Sequence, residues 1–417
     1  MKEDFPKPSQ YEKMLEMARV LSDETLGSWL KLPEKFELTE YIMKILIGAD
    51  LVPTSTNGEL FCSGDAAVLV GEELLEILRS ADYRMFNLEV PLTDVESPIA
   101  KCGPALIAGT DTVAGYKALG VDLLTISNNH IMDQGEQGLF SSIKVLEDNG
   151  ISYVGAGENL QEAAKPFIVE SGDKKIGVYA CAEYEFSIAQ EDYPGANPFD
   201  PLESPDHVAA LKAQCDYVIV LYHGGKEHYR YPSPMLQKTC RKLVEKGADL
   251  VVCQHSHCVG CEEKYKDGTI VYGQGNFLFD HSKSEFWRTS LLLQVENGQV
   301  SYIPLVKTAQ TVRLADEQEG QKILNEFNGR SREIEDPQVI NQKYTLFAKK
   351  MSVQYLTALS GVNMGNIFRR VINKLTKGKW QAARVKRRFT KAKCLKIRNY
   401  LECEAHKELL LKGLNRD

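Results

Sequence analysis

The sequence contains no uninterrupted apolar run that approaches the ~20 residues required for a transmembrane helix. Its first residues, MKEDFPKPSQYEKM, lack the apolar segment of a secretory signal. There is also no internal repeat at solenoid spacing and no low-complexity linker. These absences predict a soluble, cytoplasmic globular protein, which could still lie peripherally against the inner face of a membrane.

A disulfide framework is absent as well. The ten cysteines are scattered through 417 residues, and most occupy core-like positions, which is typical of reduced thiols in a cytosolic protein. Apolar residues make up 43% and charged residues 26% of the chain, as in an ordinary soluble protein. The length exceeds that of one average domain and allows a large buried core.

Acidic residues are missing from one long segment. The net charge is −7, yet residues 369–398 contain thirteen Lys and Arg and no Asp or Glu. Aromatic and aliphatic residues interrupt these charges, which favours contact of residues 365–417 with an anionic membrane or polyanion. A solvated helical tail is an equally good interpretation. Nucleic acid is a weaker one, because the chain is acidic overall and has no recognised reading motif.

The pattern along the chain predicts three regions. Residues 1–43 have apolar residues at helical spacing and form a helical N-terminal extension. Residues 44–308 alternate short apolar strands with helices near 71–80, 111–119, 136–149 and 234–246, which indicates a largely parallel α/β sheet. Asn297-Gly298 lies between two alternating strands and predicts a hairpin. Residues 309–417 form a helical, basic C-terminal region.

Polar side chains follow five of the predicted strands. They are Asp50, Asn87-Leu88-Glu89, Asn128-Asn129-His130, His223-Gly224-Gly225 and His255-Ser256-His257. Because strand ends in open α/β sheets converge on one crevice, we expect these distant residues to meet. Each segment alone has a plainer interpretation, such as a helix cap for the asparagines or a solvent-facing loop for the histidines. Coincidence at five strand ends is hard to credit.

The residue types indicate a metal centre. Paired imidazoles suit borderline divalent ions such as zinc, iron or manganese, and a carboxylate is the usual bridge between two ions. Asp133 follows His130 at a spacing that allows its carboxylate to hold one tautomer of the imidazole. A structural zinc site at Cys258-x-x-Cys261 is the lesser alternative, because no second CxxC supplies the remaining ligands.

Several stretches resemble the poly-gamma-glutamate capsule biosynthesis (CapA-type) family of the calcineurin-like metallophosphoesterase superfamily. They are NLEVPLTD (87–94), GVDLLTISNNHIMDQG (120–135), GAGENLQEA (155–163), HGGKEHY (223–229), HSH (255–257) and YGQGNFLFD (272–280). The resemblance covers roughly residues 44–306. It implies an α/β fold, a four-layer α-β-β-α sandwich, with one or two divalent ions (Mn, Fe or Zn) at the loops.

The resemblance also implies roles for individual residues. The metal ligands would be Asp50, Glu89, Asn129, His223, His255 and His257. His130 would be the general acid, oriented by Asp133. Substrate contacts would be Asn87, Asn128, Glu227 and Asn276.

We therefore expect a metal-dependent hydrolase that cleaves a phosphoester or a gamma-glutamyl amide in capsule or cell-surface polymer synthesis. Its substrate would be an anionic polymer or a phosphoester. The first strand departs from the superfamily pattern, since Leu51 and Val52 follow Asp50 where Asp-x-His is usual. One ion would then have one imidazole fewer. The alternative is a non-catalytic assembly or polymer-handling factor on a degenerate scaffold.

Overall fold

Two β-sheets lie at the centre of the computed structural model, which describes residues 43–279, 284–308, 310–360 and 367–414. The first sheet contains β1 (Ile45–Leu51), β2 (Tyr83–Asn87), β3 (Leu123–Thr125), β4 (Ser152–Val154), β13 (Asn276–Leu278), β14 (Thr289–Glu296), β15 (Gln299–Lys307) and β16 (Val312–Leu314). The second contains β6 (Phe167–Ser171), β7 (Lys174–Ala182), β9 (Tyr217–His223), β10 (Leu250–Gln254), β11 (Glu262–Tyr265) and β12 (Gly268–Tyr272). A separate small pair is formed by β5 (Ala156–Gly157) and β8 (Gly195–Ala196).

The strand order places the parallel strands in the middle of each sheet. The first sheet has the order β16-β15-β14-β1-β2-β3-β4, with β13 also paired to β1, and the second has the order β11-β12-β10-β9-β7-β6. Neighbours from β1 to β4 are parallel, as are β7, β9, β10 and β12. The predicted largely parallel core is therefore confirmed. The predicted hairpin is confirmed too, because Glu296 pairs with Gln299 across β14 and β15.

Helices pack on the outer faces of both sheets, and further helices follow the sandwich in the C-terminal part of the chain. They are α1 (Gly58–Ser63), α2 (Ala66–Val70), α3 (Glu72–Arg79), α4 (Val113–Ala118), α5 (Gly135–Asp148), α6 (Leu160–Ala163), α7 (Ser204–Lys212), α8 (Pro234–Glu245), α9 (Glu317–Glu333), α10 (Pro337–Leu359), α11 (Ile367–Leu375), α12 (Lys379–Arg388), α13 (Lys391–Glu402) and α14 (Glu404–Leu414). Short 3-10 turns occupy Thr110–Thr112 and Glu285–Trp287. Local sequence sets several helix starts: Ser233 caps α8 through the amide of Leu236, and Pro234 fills its first turn.

The alternation of side chains along β1 builds four layers. Ile45 and Ile47 pack between the sheets, against residues such as Ile219 and Val252 of the second sheet. Leu46 points the other way, into a second core under the helices of the first sheet. A third core lies between the second sheet and its helices, around Tyr179 and Val218. This is the predicted α-β-β-α sandwich.

The region beyond residue 308 divides into two unlike parts. β16 extends the first sheet six residues past the predicted boundary, and Phe327 of α9 is buried in the core between the sheets. The helices α12, α13 and α14, by contrast, bury no residue. The predicted N-terminal extension, residues 1–43, lies outside the described residues except for residue 43.

Two other features bear on the expectations from sequence. None of the described helices combines the length and the apolar character that crossing a bilayer requires. All ten cysteines are free thiols, and six of them are buried. Cys258 and Cys261 belong to no cluster of potential metal ligands among the described residues.

Candidate metal centre

Strand ends from both sheets meet at one buried site. Asp50 lies at the end of β1, Glu89 two residues after β2 and Asn129 four residues after β3, all from the first sheet. His223 ends β9, and His255 and His257 follow β10, from the second sheet. All six side chains are buried, with exposed fractions from 0% to 9%. The convergence expected from the sequence therefore occurs, and it joins two sheets rather than the strands of one.

The Nε2 atom of His223 has three potential ligand atoms around it. Asn129 Oδ1 lies 3.0 Å away, His255 Nδ1 3.1 Å away and Glu89 Oε1 3.3 Å away. A single N–H group satisfies at most one such neighbour well. One cation among these four atoms would satisfy all of them, so this arrangement fits a metal ion better than a hydrogen-bond network.

A second group of ligand atoms overlaps the first. His257 Nδ1 lies 3.2 Å from Asp50 Oδ2 and 2.9 Å from Asn276 Oδ1. Two sets of side chains have ligand atoms within 4.8 Å of one another: Glu89, His255 and His257 form one, and Asp50, Glu89 and His223 form the other. Glu89 belongs to both sets, which is the position that a bridging carboxylate takes in a centre for two ions.

The carboxylate of Glu89 supports the same interpretation. It is completely buried. His223 Nε2 lies 3.3 Å from its Oε1 as an ion-pair partner, but neither oxygen accepts a hydrogen bond that meets geometric criteria from a described residue. Burying a carboxylate without hydrogen bonds costs several kcal/mol, about the scale of a lost buried ion pair. Buried charges are therefore normally paired or bound to a metal. The donor set of imidazole nitrogens and carboxylate and amide oxygens fits divalent Mn, Fe or Zn.

The surroundings of the site shift the pKa values of His255 and His257 in opposite directions. Burial lowers the pKa of His255 well below its usual value, and the nearby imidazole of His223 adds to this effect. His255 is therefore neutral, the form that binds metals. Burial opposes charge on His257 too, but the hydrogen bond to Asp50 and the negative charges of Glu89 and Asp50 together outweigh it and raise the pKa to about 9. Burial and the charge of Glu89 raise the pKa of Asp50.

The His-Ser-His segment has a different backbone from the predicted one. The sequence predicts an extended run that would point both imidazoles to one side, but β10 ends at Gln254. His255 and His257 instead have positive φ angles of 77° and 51°. Such conformations cost about 1–3 kcal/mol and persist where surrounding structure holds them, often at functional sites. The amide of His228 donates to the carbonyl of Ser256 and holds this turn.

His130 lies at the edge of the site, where its Nδ1 is close to both Asp133 and Lys101. Its Nδ1 is 2.5 Å from Asp133 Oδ2, as expected from the sequence, and its side chain retains 12% exposure. Lys101 was not predicted. Its Nζ donates to Asp133 Oδ1 at 2.5 Å and to the carbonyl of Asn129 at 3.2 Å, and its side chain is only 3% exposed. No spacing signal marks Lys101, because it lies in the irregular segment 95–107.

Two of the predicted substrate contacts, Asn87 and Asn128, are buried and hydrogen-bonded within the site. Asn87 is fully buried and donates to Asp50 Oδ1 at 2.8 Å, while its own Oδ1 accepts from Asn128. Asn128 is fully buried too, donates to the carbonyl of Leu88 and accepts from the amide of His130. These bonds link the two asparagines to Asp50 and His130, and their contact with a substrate stays a prediction.

The other two predicted substrate contacts, Glu227 and Asn276, differ in burial. Glu227 is exposed on the loop that follows β9. Asn276 is buried beside His257, and its Nδ2 has no hydrogen-bond partner among the described residues. An unpaired buried donor beside the centre is compatible with a contact to a substrate oxygen.

An aromatic wall that the sequence did not indicate borders His257. The ring centres of Phe279 and Trp287 lie 5.7 and 5.0 Å from that of His257. Trp287 Nε1 donates to His228 Nε2 at 3.0 Å, and His228 stacks on Phe286 at 5.2 Å. These rings form the aromatic wall, an apolar border on the His257 side of the site.

Comparison with known proteins identifies the family. The model of the family described as bacterial capsule synthesis protein PGA_cap matches residues 61–281, more than half of the chain. The chain belongs to this family, so the predicted CapA-type membership is confirmed.

Individual relatives agree with that assignment. The chain is 30% identical to the capsule biosynthesis protein CapA of Bacillus anthracis over 212 residues, which are 49% of this chain and 52% of the relative. It is 29% identical to the PGA biosynthesis protein CapA of Bacillus subtilis over 226 residues, 52% of this chain and 58% of the relative. The chain thus spans about half the length of the curated relatives it matches.

A solved structure with some likeness is a novel phosphatase from Mycoplasma pneumoniae, with 14% identity and a TM-score of 0.40. The alignment covers 64% of this chain and 95% of that one. The architecture described above rests on the strand order of this chain itself.

Proposed function

We propose that this protein is a metal-dependent hydrolase that acts on an anionic substrate in capsule or poly-gamma-glutamate synthesis. The observation that carries the proposal is the group of four potential ligand atoms formed by His223 Nε2 and its three neighbours, together with the buried carboxylate of Glu89, which accepts no hydrogen bond from a described residue. The names of the relatives, which refer to capsule and PGA biosynthesis, support the biological setting.

Six side chains would hold one or two divalent ions. They are Asp50, Glu89, Asn129, His223, His255 and His257. In such a centre, the chemistry supplied by divalent ions is polarisation of the scissile group and activation of water near neutral pH. Asn87 orients Asp50 through a hydrogen bond of 2.8 Å, a kind of support that metal ligands commonly need.

His130 is the proposed general acid. It is the partly exposed imidazole beside the centre, and Asp133 fixes its ring through Nδ1, which leaves Nε2 for the leaving group. Lys101 holds the other oxygen of Asp133 and so keeps that carboxylate in place. These contacts position one proton donor without requiring any movement of the backbone.

The bond cleaved would be a phosphoester or a gamma-glutamyl amide. Both pass through states with negative charge on oxygen, which cations and the unpaired Asn276 Nδ2 donor would stabilise. The two are separable by assay. Purified protein would be incubated with Mn²⁺, Fe²⁺ or Zn²⁺ and with a chromogenic phosphomonoester, a phosphodiester or a gamma-glutamyl anilide.

His257→Ala should abolish turnover and reduce metal content measured by elemental analysis. His130→Ala should slow turnover about 10²–10⁴-fold, the usual contribution of general acid catalysis, with metal content unchanged. His406→Ala, on the exposed face of α14, serves as the matched control and should change neither quantity. Full turnover in His130→Ala with metal bound would remove His130 from the mechanism.

A non-catalytic assembly role is the second candidate. The specific observation in its favour is the first strand, where buried Leu51 and Val52 stand in place of a further imidazole ligand. Stoichiometric metal in the purified protein, without turnover of any of the three substrate classes, would favour this role over hydrolysis.

The basic C-terminal helices suggest a partner. We propose that residues 367–414 contact an anionic membrane surface, since they combine Lys and Arg with exposed side chains such as Leu375, Leu409 and Leu414, which are 78%, 72% and 65% exposed. Sedimentation with anionic vesicles should capture the full chain but not a chain that lacks residues 361–417, and neutral vesicles should capture neither. Equal capture of both chains by anionic vesicles would contradict the proposal.

A further inference from the structure

A cationic cavity lies outside the metal centre. Its volume is about 430 Å³, and five of its lining residues carry a positive charge: Arg230, Arg288, Lys307, Lys322 and Arg330. Three glutamates, Glu285, Glu319 and Glu326, also line it, and all three are exposed. The positive charge is therefore in excess, and the most buried charge in the cavity is that of an arginine.

Arg330 and Arg230 form the floor of this cavity. The side chain of Arg330 is 11% exposed, and its Nε donates to the carbonyl of Gly260 at 2.7 Å. Arg230 donates from Nη1 to the adjacent carbonyl of Val259 at 3.0 Å. The carbonyls of two consecutive residues thus hold two guanidinium groups that line the same cavity. Burial lowers the pKa of Arg330, and the charge of Arg230 contributes to this effect.

The carboxylate nearest to this pair does not neutralise it. Glu326 Oε2 lies 3.8 Å from Arg330 Nη1, and the side chain of Glu326 is 54% exposed. Nε is the one atom of the Arg330 guanidinium that donates a hydrogen bond to another described residue. A guanidinium carries five N–H donors in a fork that matches carboxylate or phosphate. The pair therefore has unused donors and repulsion that a bound anion would relieve.

The cavity adjoins the metal centre through the aromatic wall. The guanidinium of Arg230 lies 4.8 Å from the ring centre of Phe286, and that ring stacks on His228. Trp287, the next residue, contacts His257 at 5.0 Å. Tyr229 stacks on Phe347 of α10 at 4.4 Å, which fixes the loop that carries both His228 and Arg230. An anion at the arginine pair would thus lie just beyond the wall from the centre.

We propose that Arg230 and Arg330 form an anion-binding subsite that holds a carboxylate of a polycarboxylate chain while another part of the same chain lies at the metal centre. The subsite rests on the proposed function for the identity of that chain, but its binding does not require turnover. A polymer with a carboxylate on every unit, such as a gamma-linked glutamate chain, has repeated negative charges that could bind at two separate subsites simultaneously.

The test measures binding by titration calorimetry with metal-free full-length protein and a gamma-linked oligoglutamate. Arg330→Met should weaken binding at least about 30-fold, the equivalent of ~2 kcal/mol for the loss of one partner of a buried charge pair. Arg230→Met should weaken it in the same direction. Arg79→Met, which removes an exposed arginine of α3, is the control for loss of charge alone and should bind normally.

Two outcomes would overturn the proposal. Equal affinity of Arg330→Met and Arg79→Met for the oligoglutamate would overturn it. If Arg330→Met loses affinity for inorganic phosphate but binds the oligoglutamate as tightly as the wild type does, the assignment to a polycarboxylate is overturned. If circular dichroism shows that Arg330→Met does not fold, the affinities of Arg230→Met and Arg330→Lys for the oligoglutamate decide instead. Arg330→Lys keeps the positive charge but loses the forked N–H donors of the guanidinium. Absence of hydrolysis in the wild-type protein would leave these affinities unaffected, so the two proposals fail separately.

Discussion

The sandwich and the basic C-terminal helices both contain leucines and basic residues, yet these side chains have different surroundings in the two regions. In the sandwich, leucines such as Leu46 and Leu124 are completely buried. In α12, α13 and α14 no residue is buried, and Leu409 is 72% exposed. Because short helices are marginal in water without a packed face, the C-terminal helices gain little from folding alone. The difference indicates that the packed core of the sandwich stabilises the fold, whereas the C-terminal helices expose most of their side chains.

Charge differs between the two regions in the same way. The sandwich buries charged groups in pairs, as with Lys101 and Asp133, and gathers two carboxylates at the metal centre. Residues 369–398 carry thirteen positive charges without one acidic residue. Buried charges require specific partners, whereas exposed like charges only require water or an anionic surface.

The largest effect is expected from breaking a buried ion pair. Lys101→Met would leave Asp133 buried without its cation, which should lower the free energy of unfolding by about 3–5 kcal/mol. Lys144→Met, which removes the cation of an exposed i,i+4 pair with Asp148, should cost about 0.3–0.5 kcal/mol. Urea denaturation measures both. A comparable loss in the two variants would contradict the assignment of Lys101 to a buried pair.

The second prediction compares a Leu→Ala substitution in the core of the sandwich with the same substitution in a C-terminal helix. Leu124→Ala, in the core of the first sheet, should cost about 2–5 kcal/mol because it leaves a cavity. Leu409→Ala in α14 should change stability by no more than about 0.5 kcal/mol. Thermal and urea unfolding would follow the main transition. A large loss in Leu409→Ala would mean that α14 packs against a partner in solution.

Metal addition gives the third comparison. A divalent ion that binds only the folded state should stabilise the protein by about 2.7 kcal/mol at a hundred times its Kd. The effect should vanish in His223→Ala and be reversed by a chelator, and it should persist in a chain without residues 361–417. Calorimetric melting curves with and without Mn²⁺ or Zn²⁺ measure it. Stabilisation of His223→Ala equal to that of the wild type would place the ion elsewhere.

The smallest effect is expected from removing the basic helices. Deletion of residues 361–417 should shift the free energy of unfolding of the sandwich by about 0.5 kcal/mol or less, because surface contacts contribute little. A contact such as that of Gln381 Nε2 with Thr357 Oγ1, at 2.9 Å, is the kind of interaction that would be lost. Cooperative unfolding followed by fluorescence would show whether the remaining chain behaves as before.

Most of the sandwich could be predicted because its signals are local. Period-two apolar patterns mark strands such as β1, and Asn297-Gly298 marks the hairpin. Chemistry-bearing residues at the strand ends are visible in the sequence too, so the ligand atoms found around His223 were all on predicted residues.

The parts that could not be predicted depend on contacts between distant segments. Lys101 reaches Asp133 from an irregular loop, and no pattern in that loop specifies its direction. The left-handed backbone at His255 and His257 is held by the surrounding structure, because positive φ angles are uncommon for any residue with a side chain. The complete burial of Asn87 and Asn128 also depends on tertiary packing, which their sequence context does not reveal.

The sequence by itself determined the order of strands and helices, the polar residues at their ends and the accumulation of positive charge near residues 369–398, because side-chain periodicity and composition act locally. Only the tertiary structure decided that two facing sheets bring those ends to one point. It also decided that Arg230 and Arg330, a hundred positions apart, line one cavity, because proximity in space depends on the packing of whole layers.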